Sequence, residues 1–432
     1  MPAVSIIIAT WNWSAALRLA ITSVLQQTMP DFELLVIGDG CTDDSAAVVA
    51  SFADRRLRWH NLARNHGSQW AANNAGLDLA AGEWIAYLGH DDIWYPTHLE
   101  ALLRAGAAAD VTFVTSVMIM YGPPRSAVRG MAGIFAGGVP SPHDFVPPSA
   151  FAHRRVATAH LRWRAPETST LPIDMDFMRD MLESGAHAST RELTVFKFNA
   201  AWRRDAYRLK QTDEQQALLA RMATGVDFRQ QELLDVIAAT EQGHYIRVGV
   251  PAANSAAAGE IARMNRRNKG LDDRFEKTAL TTIDAVHRFD LAGPTAPFEW
   301  HQLEMHPSAG TFRWSGPSPR ATVDLPVVFD RDLNIAIRIV HVLMPEAART
   351  LRVQVRGRDL PVRVDPDADG FLVTAIARHE HAADASNAFA VTLDVQPLTQ
   401  PCLHGVAGDI RWVGVAVAWI ELSPARSGEA VA

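Results

Sequence analysis

The N-terminal part of the chain alternates strongly apolar runs with segments of helical periodicity, and this alternation restricts the fold more than any other feature. Val4–Ala9 and Phe32–Ile37 are rich in branched apolar residues and are predicted to be buried strands. Helices are predicted over about Ala15–Gln26 and Ser45–Ala53. Strands that alternate with helices form parallel sheets with right-handed crossovers, so the sequence predicts an α/β fold.

Polar residues follow each of the predicted strands. Thr10 and Asn12 follow the first strand, Asp39 follows the second, and Asp91 comes soon after an apolar run that ends at Leu88. Because ligands bind outside the carboxyl ends of the strands in such sheets, these positions are expected to converge on one binding edge. Helix capping alone explains such a convergence poorly.

The most informative stretch of this edge is a pair of adjacent carboxylates, Asp91 and Asp92, at the end of a buried strand. Charges in such a place are costly unless something binds them. Divalent cations such as Mg²⁺ use one or two carboxylates to hold substrate phosphates, which predicts a metal–diphosphate site. The alternative is that one of the two caps the helix that contains His98–Leu103. The two residues alone leave both interpretations open.

The same segments resemble the family 2 glycosyltransferases, which have the GT-A nucleotide-diphospho-sugar transferase fold with a mostly parallel, Rossmann-like sheet. The similarity runs in order over residues 4–100, is weaker over residues 110–210 and is absent beyond. In combination the motifs are specific for the family but not for a donor or an acceptor. The segments are Val4–Asn12, Ser23–Thr28, Phe32–Ser45, Asn65–Gly67, Ala71–Gly76, Ala80–Leu88 and Gly89–Pro96.

The resemblance implies a binding site for the nucleotide of a nucleotide-diphosphate sugar. The residues that it assigns to this site are Thr10, Trp11, Asn12, Asp39, Arg64 and Asn65. Thr10, Trp11 and Asp39 are expected at the base and ribose, where an ionised carboxylate accepts hydrogen bonds from the base. Arg64 and Asn65 are expected near the ribose or the diphosphate.

The resemblance also implies a metal site for Mg²⁺ or Mn²⁺. Asp91 is expected to reach the metal, and Asp92 to support it or to touch the sugar. The metal would neutralise the leaving diphosphate as a Lewis acid. Two positions depart from the family pattern, because Gly38 and Gly89 stand where the family usually has carboxylates. One contact is therefore either missing or supplied by His90 or water.

A catalytic base is expected in the segment Leu171–Met181, which resembles the Glu-Asp-x-Asp segment that opens a helix in the family. An inverting sugar transfer needs a carboxylate to take the proton of the acceptor hydroxyl. Asp174 is the predicted base, and Asp176 is expected to start the helix or to support the site. The alternative is that both residues serve only to cap a helix N-terminus, where capping and the helix dipole favour Asp. Lys197–Arg204 resembles a segment on the acceptor side of the family.

Composition limits the class of protein. A chain of 432 residues is expected to form two or three domains, and a net charge of −7 argues against a nucleic-acid partner. The two cysteines, Cys41 and Cys402, are far apart in the sequence and suggest a reducing compartment. Neither a signal peptide nor a transmembrane run is evident. A cytoplasmic protein is expected, with peripheral contact with the inner face of a membrane left open.

Short alternating segments after about residue 292 predict an all-β sandwich. Phe298–Trp300 and Gly310–Ser315 resemble a β-domain that follows some bacterial glycosyltransferases. Aromatic residues there predict either a sugar-stacking surface or an ordinary core; they are Trp300, Phe312, Trp314 and Trp412. The predicted division is a nucleotide-sugar-binding half at 1–110, an acceptor-binding half at 111–210, a helical extension at 211–290 and the β-domain at 291–432. Basic residues near the end of 252–269 indicate a solvated linker or a lipid-facing helix.

The sequence therefore predicts an inverting, metal-assisted glycosyltransferase. The expected donor is a nucleotide-diphosphate sugar, most simply a UDP-sugar, and the expected acceptor is a glycan or lipid-linked glycan of a bacterial surface polysaccharide. The alternative is a non-catalytic protein that binds carbohydrate or nucleotide sugar on a degenerate GT-A scaffold, which Gly38 and Gly89 motivate.

Overall fold

The computed structural model describes most of the chain in two regions, an α/β region and a C-terminal all-β region. The predicted α/β fold with a mainly parallel central sheet, followed by antiparallel β-structure, is confirmed. The described residues are 1–135, 138, 140–141, 144–225, 227–246, 265–267, 269–271, 279–292, 298–306, 310–367, 370–379, 389–409 and 411–426.

The α/β region is built on one ten-stranded sheet. Its strands are β1 (Val4–Thr10), β2 (Phe32–Gly38), β3 (Leu57–Asn61), β4 (Trp84–Tyr87), β5 (Ile93–Trp94), β6 (Val111–Tyr121), β7 (Arg129–Ala132), β8 (Phe151–Arg154), β9 (Ala186–Phe198) and β10 (Tyr245–Ile246). Strand β1 pairs in parallel with β2 and β4, and β2 pairs in parallel with β3. Strand β6 pairs in parallel with β9, while β8 joins β4 and β6 in antiparallel pairs. The parallel half thus contains the strands predicted from the sequence.

Helices pack on this sheet and bury its central strands. They are α1 (Ser14–Leu25), α2 (Ser45–Ala50), α3 (Trp70–Leu79), α4 (His98–Ala105), α5 (Ile173–Glu183), α6 (Ala206–Leu209), α7 (Asp213–Thr224) and α8 (Phe228–Glu241). Ile6, Ile7 and Ile8 of β1 are inaccessible to solvent, although neighbouring strand residues point to opposite faces of the sheet. Both faces of β1 are therefore covered, as expected of a central strand in a parallel sheet.

Helices α7 and α8 belong to the α/β region. Leu218 of α7 and Phe228 and Val236 of α8 form a buried cluster with sheet residues such as Ile119 and Phe196. The sequence interpretation had grouped these helices with a linker that follows the α/β domain. Within the described residues, no helix is long and apolar enough to cross a membrane.

The C-terminal region contains a seven-stranded and a four-stranded sheet. Its strands are β11 (His287–Asp290), β12 (Trp300–His306), β13 (Gly310–Ser315), β14 (Arg320–Leu325), β15 (Leu333–Val342), β16 (Arg352–Val355), β17 (Arg358–Leu360), β18 (Val362–Asp367), β19 (Gly370–Ala377), β20 (Phe389–Asp394) and β21 (Val415–Pro424). A short helix, Pro345–Arg349, follows β15. Residues of both sheets, such as Ile335 and Val391, belong to one buried core.

The aromatic residues proposed for a sugar-stacking surface are mostly buried. Trp300, Phe312 and Trp314 are each less than a tenth exposed. Trp300 donates its indole N–H to the carbonyl of Thr322 at 3.0 Å and lies in the main core, whereas Phe312 and Trp314 form a separate small cluster. This arrangement favours the core interpretation of these three residues.

Direct contacts join the two regions. Arg204, in the loop that leads to α6, forms an ion pair with Asp324 of β14. Trp202 packs against Phe298 with ring centroids 5.1 Å apart. The C-terminal region is therefore connected to the segment that the sequence assigns to the acceptor side.

Candidate active site

The carboxyl ends of β1, β2 and β4 bring the first site residues together. Thr10, at the end of β1, lies opposite Gly38 of β2, and the carbonyl of Thr10 accepts a hydrogen bond from the amide of Asp39 at 2.8 Å. The turn that contains Asp91 follows β4, the neighbour of β1 on its other side. The convergence predicted from strand order is thus present.

Asn12 organises the loop after β2. Its backbone lies in the left-handed region with φ of 45°. Its Oδ1 accepts hydrogen bonds from the amides of Thr42 at 2.7 Å and Asp43 at 3.2 Å. The Asn12 side chain therefore holds from within the shape of the loop at residues 38–45, the acidic turn. This places it at the predicted nucleotide edge in a positioning role.

Asp39 is buried and paired with a residue that sequence reasoning missed. Its Oδ1 lies 2.7 Å from Nδ1 of His66, and its Oδ2 accepts the backbone N–H of His66 at 2.9 Å. A carboxylate has about four lone-pair positions, so these contacts leave capacity for the base that the resemblance predicts. No apolar periodicity singles out His66, which follows Arg64 and Asn65 in a loop.

Glycine is favoured at positions 38 and 40 of the acidic turn for different structural reasons. A Cβ at Gly38 would lie 2.4 Å from Oδ1 of Asn61 and 2.6 Å from the Trp59 ring, so β3 fills the space of the missing carboxylate. A Cβ at Gly40, which has φ of 67°, would lie 2.4 Å from the backbone of Arg64 and Asn65. The predicted residues Arg64 and Asn65 therefore lie directly against the turn.

His90 has partners on both ring nitrogens. Nδ1 lies 2.9 Å from Oγ1 of Thr10, and Nε2 lies 3.2 Å from the hydroxyl of Tyr207. Burial lowers the pKa of His90, although the charge of Asp91 opposes this shift. A neutral imidazole held between two hydroxyls is poorly placed to replace the missing metal contact. The geometry therefore does not favour His90 as the substitute for the carboxylate that is absent at Gly89.

Aromatic rings enclose the loop after β1. The Trp11 and Tyr207 rings are 5.9 Å apart, and the Trp13 and Tyr207 rings are 5.4 Å apart. Trp11 is half-buried, whereas Trp13 is almost fully buried. Trp11 thus borders the site with part of its ring accessible, as expected of a residue predicted to meet the nucleotide.

Asp92 is the inner carboxylate of the pair and has a full set of donors. It is inaccessible to solvent and accepts hydrogen bonds from Ser149 at 2.5 Å, from Lys197 at 3.1 Å and from the amide of Phe198 at 3.2 Å. Burial raises the pKa of Asp92, and Lys197 opposes that shift. This geometry favours the supporting role predicted for Asp92 over direct contact with a sugar.

Asp91 differs from its neighbour because its carboxylate has no hydrogen-bond or ion-pair partner among the residues that the structure describes. Its backbone carbonyl accepts a hydrogen bond from Nε2 of Gln215 in α7 at 3.4 Å. A Cβ at Gly89 would lie 2.7 Å from Oδ2 of Asp92 and 3.2 Å from Oδ1 of Asp91, so the two carboxylates already occupy the space of the family's first aspartate.

The residues present fit a metal held by one protein carboxylate. The described residues contain no group of three or more His, Cys, Asp or Glu side chains arranged to hold a metal ion. Mg²⁺ is often bound by one or two carboxylates together with substrate phosphates and water. Asp91 meets that requirement, since its carboxylate is mostly buried but not engaged.

Asp176 and Asp174, the two predicted carboxylates of α5, differ in their hydrogen-bond donors as Asp92 and Asp91 do. Asp176 is almost fully buried and accepts hydrogen bonds from Arg164 at 2.8 Å and Ser169 at 2.7 Å, as well as from Arg179. Burial raises the pKa of Asp176, but these donors outweigh it and lower the pKa. Asp174 is half-buried and accepts a hydrogen bond only from the amide that follows it, among the described residues.

Two lysines complete the charge distribution of the site. Burial lowers the pKa of Lys197, but Asp92, Asp91 and Asp174 outweigh this effect and raise it. Lys269 also lies close enough to Asp91 and Asp174 for their charges to affect its pKa. The sequence places Lys197 in an acceptor-side segment and Lys269 in a segment interpreted as a solvated linker or a lipid-facing helix. Lysine is scarce in this chain, with four residues in total, and this scarcity is the sequence signal that could have singled out both lysines.

Comparison with known families supports the resemblance seen in the sequence. Residues 5–132 match the family model described as "Glycosyl transferase family 2". This span includes the loop after β1, the acidic turn and the Asp91–Asp92 turn, so the resemblance is confirmed for this part of the chain. The C-terminal β-region lies outside the match.

Individual proteins give the same result over a limited length. An uncharacterized glycosyltransferase of Nostoc sp. is 34% identical over 112 residues, which are 26% of this chain and 35% of that protein. The E. coli UDP-Glc:alpha-D-GlcNAc-diphosphoundecaprenol beta-1,3-glucosyltransferase WfgD is 34% identical over 113 residues, which are 26% of this chain and 44% of that protein. The match thus spans less than half the length of either relative.

Among solved structures, the mannosyltransferase PcManGT from Pyrobaculum calidifontis, in complex with GDP-Man and Mn²⁺, is similar with a TM-score of 0.36 and 15% identity. The similarity covers 62% of this chain and 84% of that chain.

Proposed function

We propose that the protein is an inverting glycosyltransferase that moves a sugar from a nucleotide-diphosphate donor to a hydroxyl of a glycan acceptor. The observation that carries this proposal is the pair of carboxylates, Asp91 and Asp174, which form no ion pair among the described residues and lie within electrostatic range of Lys197. The family match over residues 5–132 supplies the reaction class.

The nucleotide is proposed to bind at the carboxyl edge of β1 and β2. Trp11 offers a half-buried ring, and the Asp39 carboxylate retains acceptor capacity beside His66. Arg64 and Asn65 lie against Gly40 at the end of the turn, where they are proposed to contact the ribose or the diphosphate. The bound nucleotide would therefore rest on a loop whose shape Asn12 fixes.

Asp91 is proposed to hold a divalent metal, Mg²⁺ or Mn²⁺, together with the donor diphosphate. A bound metal would supply Lewis-acid neutralisation of the leaving group. Asp92 contributes indirectly, because its contacts with Lys197 and Ser149 fix the turn that carries Asp91. Lys197 in turn lies within electrostatic range of Asp91 and Asp174.

Asp174 is proposed to act as the general base. Its carboxylate would accept the proton of the acceptor hydroxyl while that oxygen bonds to the anomeric carbon of the sugar. The bond between the anomeric carbon and the diphosphate oxygen breaks in the same step, and the nucleoside diphosphate leaves. Attack opposite the leaving group inverts the anomeric configuration.

The donor is proposed to be a UDP-sugar and the acceptor a glycan or lipid-linked glycan of a bacterial surface polysaccharide. The support for this choice is the similarity to WfgD, whose name gives UDP-Glc as donor and a diphosphoundecaprenol-linked sugar as acceptor. A lipid-linked acceptor would bring the protein to a membrane surface as a peripheral partner.

The proposal is tested by calorimetric titration of UDP, GDP and dTDP, each with and without Mn²⁺. Wild type is compared with Asp91→Ala and with Asp110→Ala, which removes an exposed carboxylate after α4. We expect one diphosphate to bind in a manner that needs both Mn²⁺ and Asp91, and the Asp110 variant to behave like wild type. Absence of binding by any nucleotide would refute the catalytic proposal and favour a carbohydrate-binding protein.

A further inference from the structure

The chain uses lysine very sparingly. Only four of its 41 basic Lys and Arg residues are lysines, namely Lys197, Lys210, Lys269 and Lys277. Arginine therefore provides almost all of the positive charge. A lysine differs from arginine in carrying a compact point charge on a flexible stem, which suits a small anionic group. Among the lysines that the structure describes, Lys197 and Lys269 lie within electrostatic range of Asp91 and Asp174.

The segment that carries Lys269 lies against both sides of the site. Arg266 donates a hydrogen bond from Nη1 to the carbonyl of Gly67 at 2.9 Å, next to the His66 that holds Asp39. On the other side, a Cβ at Gly270 would lie 3.0 Å from Oδ1 of Asp205. Asp205 immediately precedes α6, the helix that carries Tyr207. The described residues of 265–271 thus connect the nucleotide loop to the opposite wall.

The backbone conformation directly after Lys269 favours glycine at position 270. Its φ of 74° is in the left-handed region, and a Cβ there would also approach Arg208 Cγ at 3.0 Å. Glycine adopts this conformation without steric cost. The amides of Gly270 and Leu271 donate hydrogen bonds to the carbonyls of Arg267 and Arg266, each at 3.0 Å, and this closes a turn around Lys269. Glycine at position 270 therefore lets this turn lie directly against α6.

The ammonium of Lys269 has no hydrogen-bond or ion-pair partner within the described part of the chain, although it is half-buried. Burial and the charge of Lys197 lower its pKa, whereas Asp91 and Asp174 act in the opposite direction. Lys197 is already bound to Asp92, so it is less able to receive a ligand. A half-buried cation without a direct partner is suited to bind an anion from outside the protein.

We propose that Lys269 binds the diphosphate of the donor and thereby completes the active site from beyond the family-matched domain. This inference rests on the proposed function. An ammonium carries three donors and is a common phosphate ligand in proteins. Lys269 would contact the diphosphate on the side away from the loop that follows β2, and it would stabilise the negative charge that develops on the diphosphate as its bond to the sugar breaks.

The experiment compares UDP with UMP as probes, in the full-length protein at a fixed Mn²⁺ concentration. The variants are Lys269→Met, Lys269→Arg and the control Lys210→Met, which removes an exposed lysine beside α6 with the same change in charge. We expect Lys269→Met to weaken UDP binding by about 10- to 100-fold, the range of a hydrogen bond to a charged group. UMP binding should change little, and Lys269→Arg should recover part of the affinity.

The outcomes separate this inference from the proposed function. Failure of wild type to bind UDP, GDP or dTDP would refute the proposed function itself. Wild-type binding of UDP that Lys269→Met leaves unchanged would refute only the role of Lys269. An equal loss for UDP and UMP would also contradict it, because the contact would then lie at the nucleoside or the first phosphate. A change confined to the KM of the acceptor would assign Lys269 to an acceptor phosphate instead.

Discussion

Two short stretches of the site, the Gly89–Asp92 turn and the first turn of α5, each contain one carboxylate with a full set of donors and one without. Asp92 and Asp176 are buried and held by basic and hydroxyl side chains. Asp91 and Asp174 lack such partners among the described residues. Two aspartates that lie close together in the sequence can therefore differ in their surroundings. One is held by buried hydrogen-bond donors, whereas the other has no such partner among the described residues and could contact a ligand.

The strongest test of this difference is Asp174→Asn. If Asp174 is the base, kcat for sugar transfer should fall by about 10²- to 10⁴-fold, the usual contribution of general base catalysis. The affinity for the nucleoside diphosphate and the thermal midpoint should stay close to wild type, because Asp174 forms no ion pair with any residue that the structure describes. Glu183→Gln, an exposed change at the end of the same helix, is the control. An unchanged kcat would assign the base elsewhere.

Asp92→Ala should act mainly on stability. Removal of Asp92 deprives the largely buried Lys197 ammonium of its ion-pair partner and leaves Ser149 and the Phe198 amide without an acceptor. Breaking a buried pair in this way costs about 3–5 kcal/mol in the free energy of unfolding.

Urea unfolding of Asp92→Ala, Lys197→Met and the double variant measures this cost as a double-mutant cycle. The double variant should be more stable than the sum of the two single losses predicts, because no unpaired charge remains. Additive losses would show that Asp92 and Lys197 do not depend on each other.

Restoring the family residue at position 89 should destabilise this protein. Gly89→Asp would place a third carboxylate where the Asp92 and Asp91 oxygens already lie. The steric part is expected to cost about 1–3 kcal/mol, as overpacking usually does. Gly89→Ala isolates that part from the added charge. Thermal unfolding with and without Mn²⁺ measures both, and a more stable Gly89→Asp variant would show that the turn accommodates another carboxylate.

The smallest effect expected near neutral pH concerns a buried polar residue without a proposed role in chemistry. His153 contacts the Tyr87 hydroxyl and the Thr158 hydroxyl, and burial lowers its pKa to about 3 from the ordinary value of 6.5. Between these pH values the unfolded chain binds more protons than the folded chain. Stability should therefore fall as the pH drops below 6.5, by at most about 1.4 kcal/mol per pH unit for this group.

The measurement is the free energy of unfolding from pH 7 down to about pH 4 for wild type, His153→Gln and the exposed control His160→Gln. The His153 variant should show a shallower loss with falling pH, since it no longer takes up that proton on unfolding. The His160 variant should follow wild type. Parallel curves for wild type and His153→Gln would contradict the expectation.

Much of the N-terminal fold was predictable because local pattern and tertiary structure agree there. The predicted strand Val4–Ala9 is observed as Val4–Thr10, and Phe32–Ile37 as Phe32–Gly38. Strand β6, Val111–Tyr121, is also buried along most of its length. These runs are mostly apolar because both faces of the sheet are covered, which is a property visible in sequence.

Strand β9 was missed because it lacks that property. Ala186–Phe198 is largely polar and partly exposed in its first half, and it becomes mostly buried only from Leu193. It exists as a strand because it pairs in parallel with β6, far away in the sequence. The same strand pairs in antiparallel fashion with β5, where Ile93 lies opposite Phe196, and this pairing brings Lys197 to Asp92. The main cation of the site therefore depended on a strand that the sequence did not reveal.

The sequence by itself determined the order of strands and helices in the first hundred residues and the polar residues at their carboxyl ends. Residue type and spacing encode these features locally, as the Asp91–Asp92 pair illustrates. Only the tertiary structure decided which carboxylates are held and which are open, that His66 pairs with Asp39, and that Lys269 lies at the site. The physical reason is that partners and burial arise from contacts between segments distant in sequence, which no local pattern specifies.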